Sequence, residues 1–253
     1  MSFNVIIPAR LASTRLYGKP LLPIHGKPMI YWTWQQAVKS GADRIVIATE
    51  SEEVKQVCEA FGAEVCLTGN HHQSGTERIA EVVDLLRIAD NQILVNLQGD
   101  EPMLPPELIK QLASALFHRH DVFMATLCEP IDNVSLVFNP NIVKVSRTVE
   151  NFAINFSRAP LPWARDEFAG PEKTLPAYWP YQRHIGLYAY RAGFVKRYVN
   201  WPECALEKVE KLEQLRVLWH GERILVEQAL MDAGLGVDTQ EQLDRVRQLL
   251  APV

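Results

Sequence analysis

At 253 residues, with 47% hydrophobic and 22% charged residues, the chain can bury a full core as one domain or two closely fused lobes. A net charge of −4 argues against a general nucleic-acid binder. No run reaches the ~18 apolar residues that a membrane-spanning helix needs. Four cysteines (Cys58, Cys66, Cys128, Cys204) without C-x-x-C or metal spacing read as buried thiols. With a start, MSFNVIIPAR, that lacks a signal peptide's basic and apolar regions, they point to a cytoplasmic protein.

The first stretch, FNVIIPARLASTRLYGKPLLPIHGKP (3–28), is a strand-like run that stops at Pro8 and opens into a basic loop. Arg10, Arg15, Lys19 and Lys27 lie between Ala9 and Pro28, and no acid precedes Asp43. Residues 1–42 carry five Lys/Arg and no acid, so the remainder balances at −9. A basic patch inside an acidic body suits a small anion, and backbone N–H groups with cations can cradle a triphosphate. The spacing matches neither Walker A nor G-x-G-x-x-G. The plain alternative is a solvated surface loop.

Strand and helix signals then alternate, as in βαβ units with a mostly parallel sheet. Pro28 reads as the first residue of a helix to about Ser40, stopped by Gly41. Arg44–Thr49 is a strand, Ser51 caps a helix ending near Gly62, and Glu64–Leu67 is a third strand. A helix from about Thr76 to Ile88 carries Ile79, Val82, Val83 and Leu86 on one face. Gln92–Leu97 delivers Gln98-Gly99-Asp100 at a strand's C-terminal end, where open parallel sheets bind ligands. A helix from about Pro105 to His118 and a strand near Val122–Leu127 follow. Beyond them Val143–Val149 and Phe152–Phe156 alternate as antiparallel strands about a Glu150-Asn151 turn. Residues 165–182 read as a long flap or an intersubunit arm. Ile185–Tyr190 is a strand, Ala205–Leu218 a helix, Arg223–Glu227 a strand, and Thr239 caps a last helix to Leu250.

Asp100 at that strand end suits Mg²⁺, which takes one or two carboxylates plus phosphate oxygens. The alternative is a turn residue ahead of Pro102. Asp238 alone reads better as an acid leading a helix. Ser74, Gly75 and Thr76 read equally as a cap or as a base-reading turn, and His71 and His72 as surface histidines. Trp163, Tyr178, Trp179 and Tyr181 lack the basic interleaving typical of single-strand nucleic-acid binding, which favours packing or a dimer contact. Arg158 and His184 carry no signal of their own, and Glu213 reads as solvated.

Residues 8–20, PARLASTRLYGKP, resemble the nucleotide-binding signature of sugar-activating cytidylyltransferases. HQSGTER (72–78), NLQGDEP (96–102), FNPNIVKV (138–145), FSRAPLPW (156–163), RHIGLYAYR (183–191), LEQLRVL (212–218) and GVDT (236–239) follow in that family's order. The likeness spans nearly the whole chain and is strongest to the branch acting on 3-deoxy-manno-octulosonate (KDO) in lipopolysaccharide synthesis. One departure is Tyr17, where the family usually has proline.

The resemblance implies an α/β fold of the nucleotide-diphospho-sugar transferase type. Its mostly parallel, Rossmann-like sheet is flanked by helices, with a smaller α+β lobe for sugar binding and dimerisation. Residues 1–253 form one domain, 1–130 mainly binding nucleotide and 131–253 mainly providing sugar, metal and dimer contacts. The implied reaction is CTP + KDO → CMP-KDO + diphosphate, with Mg²⁺ on Asp100 and Asp238 and direct attack of the sugar's 2-hydroxyl. Arg10, Lys19, Asp100 and Asp238 are the implied catalytic set. Pro8, Ala9, Arg10, Ser13, Arg15, Lys19, Gln73, Ser74, Gly75 and Arg78 are the implied CTP contacts. For KDO, Arg158 and His184 take the carboxylate while Gln98, Glu213 and Gln214 take hydroxyls. A homodimer is implied, with no nucleic acid and no membrane. Another acidic sugar (8-amino-KDO or a sialic acid) and a non-catalytic nucleotide-binding protein stay open.

Overall fold

The computed structural model describes residues 1–11, 16–72, 74–178 and 180–250. Its first strand, β1 (Phe3–Pro8), is buried along its whole length, as a strand covered on both faces must be. A hairpin of β2 (Pro23–Ile24) and β3 (Lys27–Pro28) turns at His25-Gly26 and leads into α1 (Met29–Lys39). Pro28 therefore sits just outside the helix as its N-cap, one residue earlier than the sequence implies. β4 (Arg44–Thr49), α2 (Glu52–Ala60), β5 (Glu64–Leu67), α3 (Gly75–Leu85), β6 (Ile93–Asn96) and α4 (Pro106–His118) complete the alternating run. Ser51 caps α2 and Ser74 caps α3, each side chain accepting from the backbone three residues on.

β7 (Met124–Pro130) is followed by the short helix α5 (Val134–Phe138), which the sequence reading lacks. β8 (Lys144–Arg147) and β9 (Ala153–Ser157) pair antiparallel about a turn closed by the Asn151 N–H on the Thr148 carbonyl (3.0 Å), so Val149-Glu150 is its centre, one residue earlier than expected, and Asn151 follows at φ 64°. The long strand β10 (Gln182–Arg191) runs directly into α6 (Ala192–Tyr198). The expected helix over 205–218 is two helices, α7 (Ala205–Glu210) and α8 (Gln214–Trp219), because Lys211 takes the left-handed conformation at φ 54°. β11 (Ile224–Gln228) and α9 (Gln240–Leu249) finish the described chain.

The sheet order is β11-β7-β10-β6-β1-β4-β5, with β8 pairing with β10 off this path and β9 pairing with β8. Only β10 runs against the others in that path, so the sheet is mostly parallel. The second half of the chain thus inserts a strand into the middle of the sheet. An antiparallel strand brings its beginning to the edge where its parallel neighbours end, so His184 joins the ends of β1 and β6.

Period-two alternation splits the core. Phe3, Val5 and Ile7 pack toward Leu108, Ile109, Leu112 and Leu116 of α4, while Ile6 and Val46 pack toward Ile79, Val82 and Val83 of α3 and Phe194 of α6. Each such aliphatic or aromatic side chain, fully buried, contributes about 1.5–3 kcal/mol. A third cluster joins Ile24, Met29 and Trp32 to Val237, Leu243 and Val246, seating α9 against α1. The 165–182 excursion makes its own small core, with Phe168 and Tyr181 buried against Val137 and Ile131, whereas Trp163 and Tyr178 are exposed. Trp179 lies outside the described residues.

Candidate active site

The site gathers where β1, β4 and β6 end. The Ala9 N–H donates to the Ala48 carbonyl (2.8 Å) and the Leu11 N–H to Glu50 Oε1 (3.0 Å), which fixes the first turn of the basic loop. Gly18, at φ 66°, turns the chain into a single 3₁₀ turn (Lys19–Leu21) that includes Pro20. The turn leaves Lys19 largely buried, with its ammonium between two carboxylates: Nζ lies 2.5 Å from Asp100 Oδ2 and 2.9 Å from Asp238 Oδ1. Burial works against this ammonium, but Asp100 and Asp238 outweigh it and its pKa is raised.

The two acids meet because their backbones do. The Val237 N–H donates to the Asp100 carbonyl (2.9 Å), and the Asp238 N–H donates to Gln242 Oε1 (2.7 Å) within the capping box that starts α9. Gly99 lets this strand end approach β1: its N–H donates to the Pro8 carbonyl (3.3 Å), and a Cβ would stand 3.0 Å from that oxygen. Glu101 is packed behind the pair, and burial, then Asp100 and Asp238, push its pKa up to about 8.

Beside this acid pair lies a cavity of about 350 Å³. It is lined by Arg10, Gly75, Thr76, Asn96 and Gln98 from the first half of the chain and by His184, Gly186, Tyr188, Tyr190, Tyr198 and residues 211–214 from the second. Gln98 Nε2 donates to Asn96 Oδ1 (2.9 Å). Glu213 is hydrogen-bonded to Thr76 and Ser74, and burial raises its pKa. Gln214 is buried, and its Nε2 has no hydrogen-bond partner among the described residues, leaving a donor for a ligand. A second cavity of about 420 Å³ holds Asp100, Glu101, Asn141, Arg183 and Asp238 and shares His184 and Gly186 with the first.

Several residues sit differently from what the sequence implies. The Arg158 guanidinium is committed to backbone, with Nε donating to the Glu210 carbonyl (2.6 Å) and Nη1 to the Pro140 carbonyl (2.9 Å). It lines neither of these two cavities, and two of its three nitrogens are engaged by carbonyls. His184 is held neutral, since burial and then Arg183 push its pKa down to about 3. The Thr126 hydroxyl has one hydrogen for the Ile185 and Leu187 carbonyls (3.0 and 2.8 Å), so the His184 Nε2 that meets its oxygen at 3.0 Å is assigned the proton. A neutral imidazole with Nδ1 as acceptor suits a sugar hydroxyl, not a carboxylate. Arg78 is 1% exposed and paired inward with Glu50 (2.8 Å). Glu213, read as solvated, is an inward-facing wall residue. Ser13, Arg15 and Gln73 lie outside the described residues, while Pro8 and Ala9 are buried beside Arg10, which is exposed.

The sequence reading missed Tyr188 and Tyr190, although His184, Gly186, Tyr188 and Tyr190 recur every second residue along β10 and so share a face. Asn96 and Gln98 repeat the same period at the end of β6. Glu50 and Thr126 carry no comparable local signal.

A family model described as Cytidylyltransferase matches residues 4–224. A Hydrogenovibrio crunogenus protein named 3-deoxy-manno-octulosonate cytidylyltransferase 1 is 66% identical, over 99% of this chain and 97% of its own length. One from Aliivibrio salmonicida, named 3-deoxy-manno-octulosonate cytidylyltransferase, is 56% identical over 99% of this chain and all of its own. Among solved structures, a CMP:2-keto-3-deoxy-manno-octonic acid synthetase complexed with CTP aligns with a TM-score of 0.89 and 37% identity, covering 98% of each chain. The chain belongs to the cytidylyltransferase family and, within it, to the 3-deoxy-manno-octulosonate cytidylyltransferases. Among the described residues no helix is long and apolar enough to cross a membrane.

Proposed function

We propose that this chain activates 3-deoxy-manno-octulosonate by cytidylyl transfer: CTP + KDO → CMP-KDO + diphosphate. The observation that carries the reading is the cavity in which Gln98, His184, Glu213 and Gln214 converge beside the Lys19, Asp100 and Asp238 cluster. Such a wall offers donors and acceptors at fixed places for a polyhydroxylated ligand. Arg10 and Lys19 neutralise the triphosphate, joined by Arg15 of the same loop. The Pro8–Arg10 turn and the Ser74-Gly75 cap take the nucleoside side. Gln98, Glu213 and Gln214 hold sugar hydroxyls, with His184 Nδ1 as one more acceptor.

In the reaction the anomeric 2-hydroxyl oxygen bonds to the α-phosphorus as the α–β bridging P–O bond breaks. The bonding electrons leave with diphosphate, and the hydroxyl proton passes to diphosphate or solvent. The chain's residues contribute mainly orientation and charge neutralisation. Asp100 and Asp238 converge within hydrogen-bonding distance of one cationic centre, and two hard carboxylates fit Mg²⁺, which completes its shell with water and phosphate oxygens. When bound there, Mg²⁺ neutralises phosphate charge and polarises the α-phosphate. Residues 1–130 serve mainly the nucleotide and 131–253 mainly the sugar and metal. We also assign a cytoplasmic homodimer, a state that light scattering of the purified chain tests.

The route is tested with KDO labelled with ¹⁸O at the anomeric hydroxyl. Direct attack leaves the label in the sugar–phosphorus bridge of the CMP-sugar, read as an isotope-shifted ³¹P resonance. Label found in diphosphate, or a CMP-sugar less labelled than the KDO recovered from the same mixture, refutes direct displacement.

A further inference from the structure

We propose that Arg78 is a positioning residue and not a nucleotide ligand: with Glu50 it forms a buried strut that holds the loop after β1 and the loop before α3 in fixed relation. The inference rests on the CTP reading above, because those loops carry Arg10 on one side and Ser74-Gly75 on the other.

Every described partner of the Arg78 side chain is internal. Nη2 lies 2.8 Å from Glu50 Oε2, and Nη1 donates to Thr68 Oγ1 (2.5 Å) and the Gly69 carbonyl (3.4 Å). Glu50 extends the connection, because its other oxygen accepts the Leu11 N–H at 3.0 Å. One guanidinium therefore reaches the basic loop through a carboxylate and the 68–69 segment directly. A planar fork can hold both at once, whereas an ammonium of similar reach cannot.

The rest of the second loop is braced around the same residue. The Arg78 N–H donates to the Ser74 carbonyl (3.3 Å), and Ser74 Oγ accepts the Glu77 N–H (3.2 Å). Glu81 accepts the Gly69 N–H (2.9 Å) and pairs with His72. The two loops approach closely, since a Cβ on Gly75 would lie 3.4 Å from Pro8 Cγ. A buried charge loses its compensation when its partner goes, so Arg78 and Glu50 act as one unit. Arg78 lines neither of these two cavities and is 1% exposed, and its Nε is the one nitrogen of the fork without a hydrogen-bond partner among the described residues.

The test compares Arg78→Lys, Arg78→Met, Glu50→Gln, Glu50→Ala and the Arg78→Met/Glu50→Ala double variant in the full chain. A strut predicts that Arg78→Met and Glu50→Ala each raise the KM for CTP about tenfold or more, while the KM for KDO stays within about twofold. The double variant is then no worse than the poorer single one, as expected of two groups in one interaction. Arg78→Lys and Glu50→Gln guard against variants that fail to fold and shift the CTP KM less, in the same direction. A direct ligand predicts a large effect from Arg78→Met, none from Glu50→Ala, and independent effects in the double variant; that pattern overturns the proposal. So does an unchanged CTP KM in every folded variant. Amide hydrogen exchange over residues 8–11 and 68–75 gives a readout that needs no turnover. A strut requires faster exchange in both loops for Arg78→Lys and for Glu50→Gln, and unchanged exchange refutes it. If the unmodified protein turns over no CTP, the reaction is misassigned while the exchange result still decides the strut.

Discussion

Replacing Arg216 by Met removes half of a buried ion pair that shapes the cavity wall. Arg216 holds Glu207 in both arms of its fork, with Nε donating to Oε2 (2.7 Å) and Nη2 to Oε1 (2.6 Å), and both side chains are 7% exposed. Nη1 also donates to the Trp201 carbonyl (3.2 Å), and the guanidinium lies 4.6 Å from the Tyr198 ring centre. The pair clamps α7 to α8 across the break at Lys211, the segment that supplies Glu213 and Gln214. Methionine leaves Glu207 buried and unpaired, at a cost of about 3–5 kcal/mol. At roughly 2–4 °C per kcal/mol for a domain of this size, the melting temperature falls by about 6–20 °C. Differential scanning calorimetry reads that shift. Pairing the change with Glu207→Gln recovers much of it, because the stranded charge is gone. The KM for KDO rises in the single variant while that for CTP holds. A fall below about 3 °C, or a double variant no more stable than the single, would refute the clamp.

Three further outcomes follow from the same geometry. His184 is neutral when folded, with a pKa of about 3 against 6.5 for the free side chain, so the unfolded chain binds the extra proton between those values. Its contribution to stability is complete above pH 6.5 and is lost as pH falls toward 3, so His184→Gln flattens the stability–pH curve by up to about 1.4 kcal/mol per pH unit in urea titrations at pH 4–6. Equal slopes would contradict the buried neutral imidazole. Gly99→Ala puts a methyl 3.0 Å from the Pro8 carbonyl and 3.2 Å from Ile30 Cδ1, shifting Asp100 by tenths of an ångström. Such a displacement lowers kcat/KM about tenfold or more with little change in melting temperature, and an unaltered kcat/KM would show the approach is slack. Asp238→Asn lowers turnover about a hundredfold and raises the Mg²⁺ concentration for half-maximal rate, in steady-state titrations, with the fold retained. A normal Mg²⁺ dependence would remove Asp238 from the metal site.

Much of the scaffold was legible because its signals are local. The run Phe3–Pro8, the caps Ser51 and Thr239, and the helix stripe of Ile79, Val82 and Val83 each announce their element within a few residues. What stayed hidden depends on partners far along the chain. Nothing near residues 182–191 says that β10 will enter between β6 and β7, since strand order is set by long-range pairing. The break at Lys211 is invisible in a helical pattern, because the pairing of Glu207 with Arg216 and the burial of Leu212 and Leu215 compensate it. For the site, motif resemblance named residues but not their environments. It could not say that Arg78 pairs inward with Glu50, that Arg158 gives two of its nitrogens to carbonyls, or that His184 is desolvated.

The most direct measurement is diphosphate release from the purified protein with CTP, Mg²⁺ and KDO, against ATP, UTP and a sialic acid in turn. Release with CTP and KDO together, and background rates for every other combination, is the result the proposed reaction requires. Release with CTP and a different acidic sugar, but not KDO, would contradict the substrate assigned to the cavity of Gln98, His184, Glu213 and Gln214.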